Sequence, residues 1–185
     1  MSSPYLLERG EAAVCVVDIQ EKLAIRMEEK SAVVANSRML ALAALRLGMP
    51  VLVTEQYPRG MGRTVPEIAA AMGRSYAPIE RMCFDCADEP EFMDQLKRLK
   101  RKQVVLCGME AHVCVLQTCL ELLDRGYRIH VPTDAVCSRR AEHKAIALAQ
   151  MRQAGAVVTC AEAVVFQLLG KVGTPEFKDL LDLIK

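Results

Sequence analysis

Three side chains in this sequence are of the types that together perform nucleophilic chemistry on an electrophilic carbon: Asp18, Arg81 and Cys114. Cys114 stands in the run Gly108-Met109-Glu110-Ala111-His112-Val113-Cys114-Val115, at the start of a helix-period segment over residues 112–125. A helix N-terminus offers free N–H groups and a partial positive charge. Both favour thiolate and lower a cysteine pKa. The same N–H groups can bind an oxyanion developing on a substrate carbonyl. Asp18 directly follows the apolar run Ala12-Ala13-Val14-Cys15-Val16-Val17, where a carboxylate must be solvated, paired or functional. As a general base it would take the thiol proton. Arg81, at the end of another short run, would hold and orient a carboxylate and a thiolate together. Each residue has a plainer alternative. Cys114 has the position of a buried helix-face cysteine such as Cys119, Asp18 that of a helix cap, and Arg81 that of a surface cation.

The surrounding pattern brings these residues to one rim. Short apolar runs at 12–17, 50–54, 77–81, 104–108, 127–131 and 156–159 alternate with segments of helical period. Runs that are continuous rather than alternating read as strands buried on both faces of a parallel sheet. Helical stripes fall at 31–47, 90–100, 112–125 and 140–154, and Gly48, Gly126 and Gly155 stop three of them just before a strand. The pattern predicts one α/β domain over residues 1–185, a three-layer doubly wound, Rossmann-like arrangement with a six-stranded parallel sheet. Ligands of such sheets bind beyond the carboxyl ends of the strands, where strand order reverses. Asp18, Glu55 to Tyr57, Arg81 and Gly108 to Cys114 all follow strands, so they fall on that rim.

Composition narrows the class. The 185 residues are 52% hydrophobic and 25% charged, and with no Trp and only 4% aromatics the core must be aliphatic. The formal net charge of +1 supplies no field to gather nucleic acid or an anionic membrane. The basic run from Lys97 to Lys102 complements a helix C-terminus. The N-terminus lacks a cationic start and a long apolar run, and no apolar stretch approaches the roughly 18 residues that span a bilayer, so the reading is a soluble cytoplasmic protein. Of eight cysteines, Cys15 and Cys107 lie inside strand-like runs, as small buried hydrophobes do, and most of the set is expected to be reduced. Cys83-Phe84-Asp85-Cys86 has C-x-x-C spacing, but it does not open a helix after a strand and has no second ligand pair, so packing is favoured over redox or metal chemistry.

Longer segments carry a family resemblance. They are Val16-Val17-Asp18-Ile19-Gln20-Glu21-Lys22, Thr54-Glu55-Gln56-Tyr57-Pro58, Gly108 to Cys114, Leu122-Leu123-Asp124-Arg125-Gly126, Thr133-Asp134-Ala135-Val136-Cys137-Ser138-Arg139 and Met151 to Ala156. In order and spacing the chain resembles the isochorismatase-like cysteine hydrolases, from about residue 12 onward. The resemblance implies a catalytic triad of Asp, Lys and Cys. Asp18 and Cys114 match two members, but the Lys position carries Arg81. Lys gives up a proton and Arg effectively does not, so Arg81 is expected to anchor Asp18 and stabilise a thiolate. The resemblance also implies a cis peptide before the nucleophile turn, at Met109–Glu110 or, favoured, Glu110–Ala111. The backbone N–H groups of Ala111 and Cys114 would then serve as the oxyanion hole.

The segments bordering a family active site make Gln20, Tyr57, Phe84 and Glu110 candidate substrate-binding residues. Related nicotinamidases bind a divalent metal through an Asp and two His, but His112, His130 and His143 all lie outside the segment between Asp18 and Arg81, so neither metal nor cofactor is expected. His112 is expected to face away from the site, His130 to be structural and His143 solvated. Gly60, Gly62 and Thr64 match no phosphate-binding loop and read as a mobile loop. The segment Ala161 to Leu169 is apolar on more than one face, which suggests a homodimer or larger homo-oligomer. The favoured function is hydrolysis of a small-molecule amide through a Cys114 thioester. The alternative is a catalytically altered member that binds a ligand or a protein partner.

Overall fold

The computed structural model describes residues 3–184. The chain runs through β1 (Ala12–Val17), α1 (Glu21–Ala24), α2 (Lys30–Arg46), β2 (Val51–Gln56), α3 (Pro58–Met61), α4 (Pro66–Met72) and β3 (Ile79–Arg81). It continues through α5 (Pro90–Arg98), β4 (Gln103–Met109), α6 (Leu116–Asp124), β5 (Arg128–Pro132), β6 (Val136–Cys137), α7 (Ala141–Gln153), β7 (Val157–Thr159), α8 (Ala161–Leu169) and α9 (Pro175–Ile184). All strand pairs are parallel.

The sheet has seven strands, six of them in the order β3-β2-β1-β4-β5-β7. The sequence pattern predicts six. The seventh, β6, spans two residues, too few to carry a period. It exists because β5 follows β4 only as far as Val105↔His130, and β6 takes over the carboxyl half through Gly108↔Val136 and Met109↔Cys137.

Alternation along the central strands feeds two cores. Val14 and Val16 of β1 join Val105, Cys107 and Met109 of β4 beneath α2, α4, α8 and α9. Cys15, Val17, Val104 and Leu106 face α5, α6 and α7. Helices therefore cover both faces, which explains why β1 and β4 are buried at every position. His130 lies in β5 with neither ring nitrogen hydrogen-bonded, and burial holds its pKa down at about 4.

The apolar segment at 161–169 forms α8. Its buried residues Ala161, Val164, Val165 and Leu168 enter the same core as Leu40 of α2 and Leu180 of α9, so much of its apolar surface is covered within the chain. Phe166 is left exposed. Among the described residues no helix is long and apolar enough to cross a membrane.

Candidate active site

Strand order turns about the β1/β4 pair: from β1 the chain builds outward through β2 and β3, and from β4 through β5 and β7. Crevices at such a switch point are the usual ligand sites of open α/β sheets. Asp18 follows β1 there, and the segment 110–115 follows β4. The two strand ends pack at van der Waals limits. Val17 is the partner of Gly108, and a Cβ on Gly108 would stand 2.0 Å from the Val17 carbonyl oxygen. Gly108 also has φ +137°, which side chains disfavour.

Asp18 is fully buried and has left-handed φ of 51°. Its N–H donates to the Thr54 carbonyl at 3.2 Å and its own carbonyl accepts from Gln20 N–H at 2.8 Å, so backbone bonds on both sides hold this turn. Thr54 Oγ1 donates to Asp18 Oδ1 at 2.8 Å. On the other oxygen, Arg81 Nη2 donates in a buried ion pair, while Arg81 Nη1 donates to the Cys83 carbonyl. Thr54 was not among the residues singled out from sequence; a Thr inside an apolar strand gives no signal until its partner is known. Burial raises the Asp18 pKa, against the opposing pull of Arg81 and Thr54.

Cys114 does not open an α-helix. Residues Ala111–Val115 form a π-helical turn that precedes α6, with the carbonyl of Glu110 accepting from the N–H groups of Val113 and Val115 at 3.1 and 3.2 Å. The N–H groups of Ala111 and Cys114 are not taken by that carbonyl. The expectation of a depressed thiol pKa is corrected. Burial, then the Asp18 charge, push Cys114 up to about 12, and Arg81 opposes them without prevailing. The cis peptide bond lies at Met109–Glu110, at the last residue of β4, and not at the favoured Glu110–Ala111.

Cys114 borders a cavity of about 380 Å³. Leu23, Met61, Phe84 and Val113 supply apolar wall, and Lys22, Arg26, Gln56, Glu110 and Arg139 supply polar lining. Two larger grooves, of about 600 and 710 Å³, lie on helix surfaces and border none of Asp18, Arg81 and Cys114. Arg81 borders a separate depression of about 390 Å³ with Met82 and Cys83.

The candidates from sequence distribute unevenly. Phe84 and Glu110 line the cavity beside Cys114. Glu110 accepts from the backbone N–H and the Nε of Arg139 at 2.9 and 3.1 Å. Gln20 does not line it. Its Nε2 donates to the carbonyls of Gln56 and Gly62, at 3.0 and 2.7 Å, and its Oε1 accepts from Gln56 N–H at 2.8 Å, so it is a buried clamp between strand exits. Tyr57 is also outside the lining. Its ring lies against Gly60, where a Cβ would stand 2.2 Å from the ring.

The loop expected to be mobile is instead pinned: Thr64 pairs with Gln20 across an antiparallel bridge, and buried Glu55 accepts from Thr64 N–H and Oγ1 at 2.7 and 2.9 Å. His112 turns toward Ser138 Oγ, 2.9 Å from its Nδ1, and toward the ring of His143, away from the Cys114 cavity. Among the described residues no cluster of three or more His, Cys, Asp or Glu is arranged to hold a metal ion. The eight cysteines are free thiols, with Cys86 buried beside Thr54 at 3.8 Å.

Residues 12–163 match the isochorismatase domain. The chain belongs to the isochorismatase family. It is 40% identical over 178 residues to isochorismatase domain-containing protein 2 of Macaca fascicularis, covering 95% of this chain and 84% of that one. Among solved structures it is similar to a protein called MAR1 ribonuclease from Caenorhabditis elegans, with a TM-score of 0.91, 40% identity, and coverage of 97% and 92% of the two chains. It also resembles an octameric hydrolase of unknown specificity from Escherichia coli, with a TM-score of 0.86, 25% identity, and coverage of 96% and 90%. An isochorismatase-like hydrolase framework is thus present from β1 into α8.

Proposed function

We propose that the chain is a cofactor-free cysteine hydrolase that cleaves the C–N bond of a small-molecule amide. The single observation that carries this reading is the convergence of Asp18, Arg81 and Cys114 at the β1/β4 switch point, with Cys114 bordering a cavity of about 380 Å³. The resting thiol is protonated, since its pKa lies near 12. Asp18, made more basic by burial, takes that proton as sulfur attacks the amide carbon. The N–H groups of Ala111 and Cys114 hold the oxyanion. Collapse of the tetrahedral intermediate breaks the C–N bond, and the amine leaves with the proton from Asp18. Water, deprotonated by Asp18, then attacks the thioester, releasing the carboxylic acid and returning the proton to Cys114. Arg81 keeps Asp18 oriented and offsets the thiolate charge; it carries no proton.

A panel of small carboxamides tests this reading. Turnover of at least one member by the wild type and none by Cys114→Ala is expected. Retained turnover in Cys114→Ala would sink the covalent route. A cavity of this size and a formal net charge of +1 favour a small molecule over RNA. By likeness to the octameric Escherichia coli hydrolase we also propose a homo-oligomer, and light scattering at micromolar concentration tests it.

A second reading has one observation in its favour. The high thiol pKa is that of an unreactive cysteine, as a ligand-binding module without turnover would have. Binding without hydrolysis across the whole panel would favour it.

A further inference from the structure

Charge is distributed unevenly around the Cys114 cavity. Its lining includes Lys22, Arg26 and Arg139 against the single carboxylate of Glu110, three cations to one anion, hence +2. The whole chain carries only +1, so this one cavity exceeds the charge of the entire protein. Beneath it Asp18 and Arg81 cancel.

Lys22 and Arg26 are the informative pair. Lys22 lies in α1 and Arg26 one turn later, after Ile25 continues the right-handed helical backbone. This i, i+4 spacing sets two like charges side by side, which is mildly unfavourable. Among the described residues neither forms a salt bridge. Glu21, beside Lys22 in sequence, turns to Gly62, and Glu29 pairs with Lys144. Arg139 is held through its backbone N–H and Nε by Glu110, leaving the terminal nitrogens outside that contact. Lys22, Arg26 and Arg139 are exposed where they border the cavity, and such an excess of positive over negative charge around a cleft raises the local concentration of anions. Guanidinium and ammonium groups are matched by carboxylate or phosphate oxygens. The apolar lining of Leu23, Met61, Phe84 and Val113 suits an apolar body in a ligand that carries such an anion.

We propose that the cavity selects small carboxamides that also carry an anionic group, a carboxylate or a phosphate, with Lys22 and Arg26 as the specificity-determining residues. This inference rests on the amide-hydrolase reading for its carboxamide half, while its anion half is tested separately by binding.

Calorimetry on Cys114→Ala, which binds without turnover, compares 4-carbamoylbenzoate, 4-carbamoylphenyl phosphate and the neutral methyl ester of the first. One or both anions are expected to bind about tenfold or more tighter than the ester, and the stronger of the two names the source of the charge. In the same background Lys22→Gln and Arg26→Gln each weaken the anion several-fold and leave the ester unchanged. In the wild type they raise KM for the anionic amide while kcat holds. Equal affinity for anion and ester, no binding by either, or anion binding indifferent to both substitutions overturns the proposal. So does tighter, Lys22- and Arg26-dependent binding of a short RNA oligonucleotide. Anion selection without any wild-type turnover would leave the specificity assignment standing and remove the hydrolase reading instead.

Discussion

Replacing Asp18 with asparagine should make Cys114 more reactive toward an alkylating agent while abolishing turnover. Burial and the Asp18 charge together raise the thiol pKa, and Arg81 lowers it. The neutral amide removes one of the two raising influences and leaves the guanidinium in place. A unit charge at about 4 Å in an effective dielectric of about 20 contributes about 4 kcal/mol, or about three pH units. The thiol would therefore fall from about 12 toward about 9. Near pH 7 the thiolate fraction rises about a thousandfold, but nucleophilicity falls with basicity at a Brønsted slope of about 0.4–0.5, so the net gain in labelling is about 40-fold. Iodoacetamide labelling followed by peptide mapping isolates Cys114 from the other thiols. Slower labelling of Cys114 in Asp18→Asn than in wild type below pH 9 would refute the electrostatic account. Faster labelling with turnover intact would refute the role of Asp18 as base.

Arg81→Ala leaves the Asp18 carboxylate buried without its partner, a change that costs about 3–5 kcal/mol, read as a lower urea midpoint, and it should raise the Cys114 pKa further. Gly108→Ala drives a methyl group into the Val17 carbonyl in a backbone region that disfavours side chains; overpacking and strain together predict a loss of about 3–5 kcal/mol, or no folded protein, by thermal melting. His130 ties stability to pH. Its folded pKa near 4 lies below the ordinary 6.5, so the unfolded chain binds more protons between those values and stability falls as pH drops from about 6.5 to 4. At about 1.4 kcal/mol per pH unit the loss is about 3 kcal/mol, and in denaturant titrations His130→Leu should flatten that slope.

Much of this was legible in the residues, and what was not has physical reasons. Continuous apolar runs at 12–17 and 104–108 marked strands buried on both faces, and those are the two strands whose ends meet at the site. Two-residue β6 and the π-helical turn at 111–115 were not legible: one is too short for any period, and the other differs from an α-helix by hydrogen-bond register alone. The high Cys114 pKa was missed for a related reason. Position near a helix start suggested a positive environment, but depth of burial and the placement of Asp18 are set by tertiary contacts. Gln20 illustrates the same limit. The family resemblance of its segment implied a pocket role, whereas its amide is consumed by three backbone groups. Lys22 and Arg26 were not singled out from sequence, because two surface cations carry no signal until the cavity they border is known.

The most direct test is to quench the wild-type protein in acid during turnover of a small carboxamide and measure its intact mass. A steady-state adduct equal to the acyl group is expected, mapped by peptide digestion to Cys114 and lost in Cys114→Ser on the same timescale. Turnover with Cys114 unmodified at every quench time, and undiminished in Cys114→Ala, would contradict it.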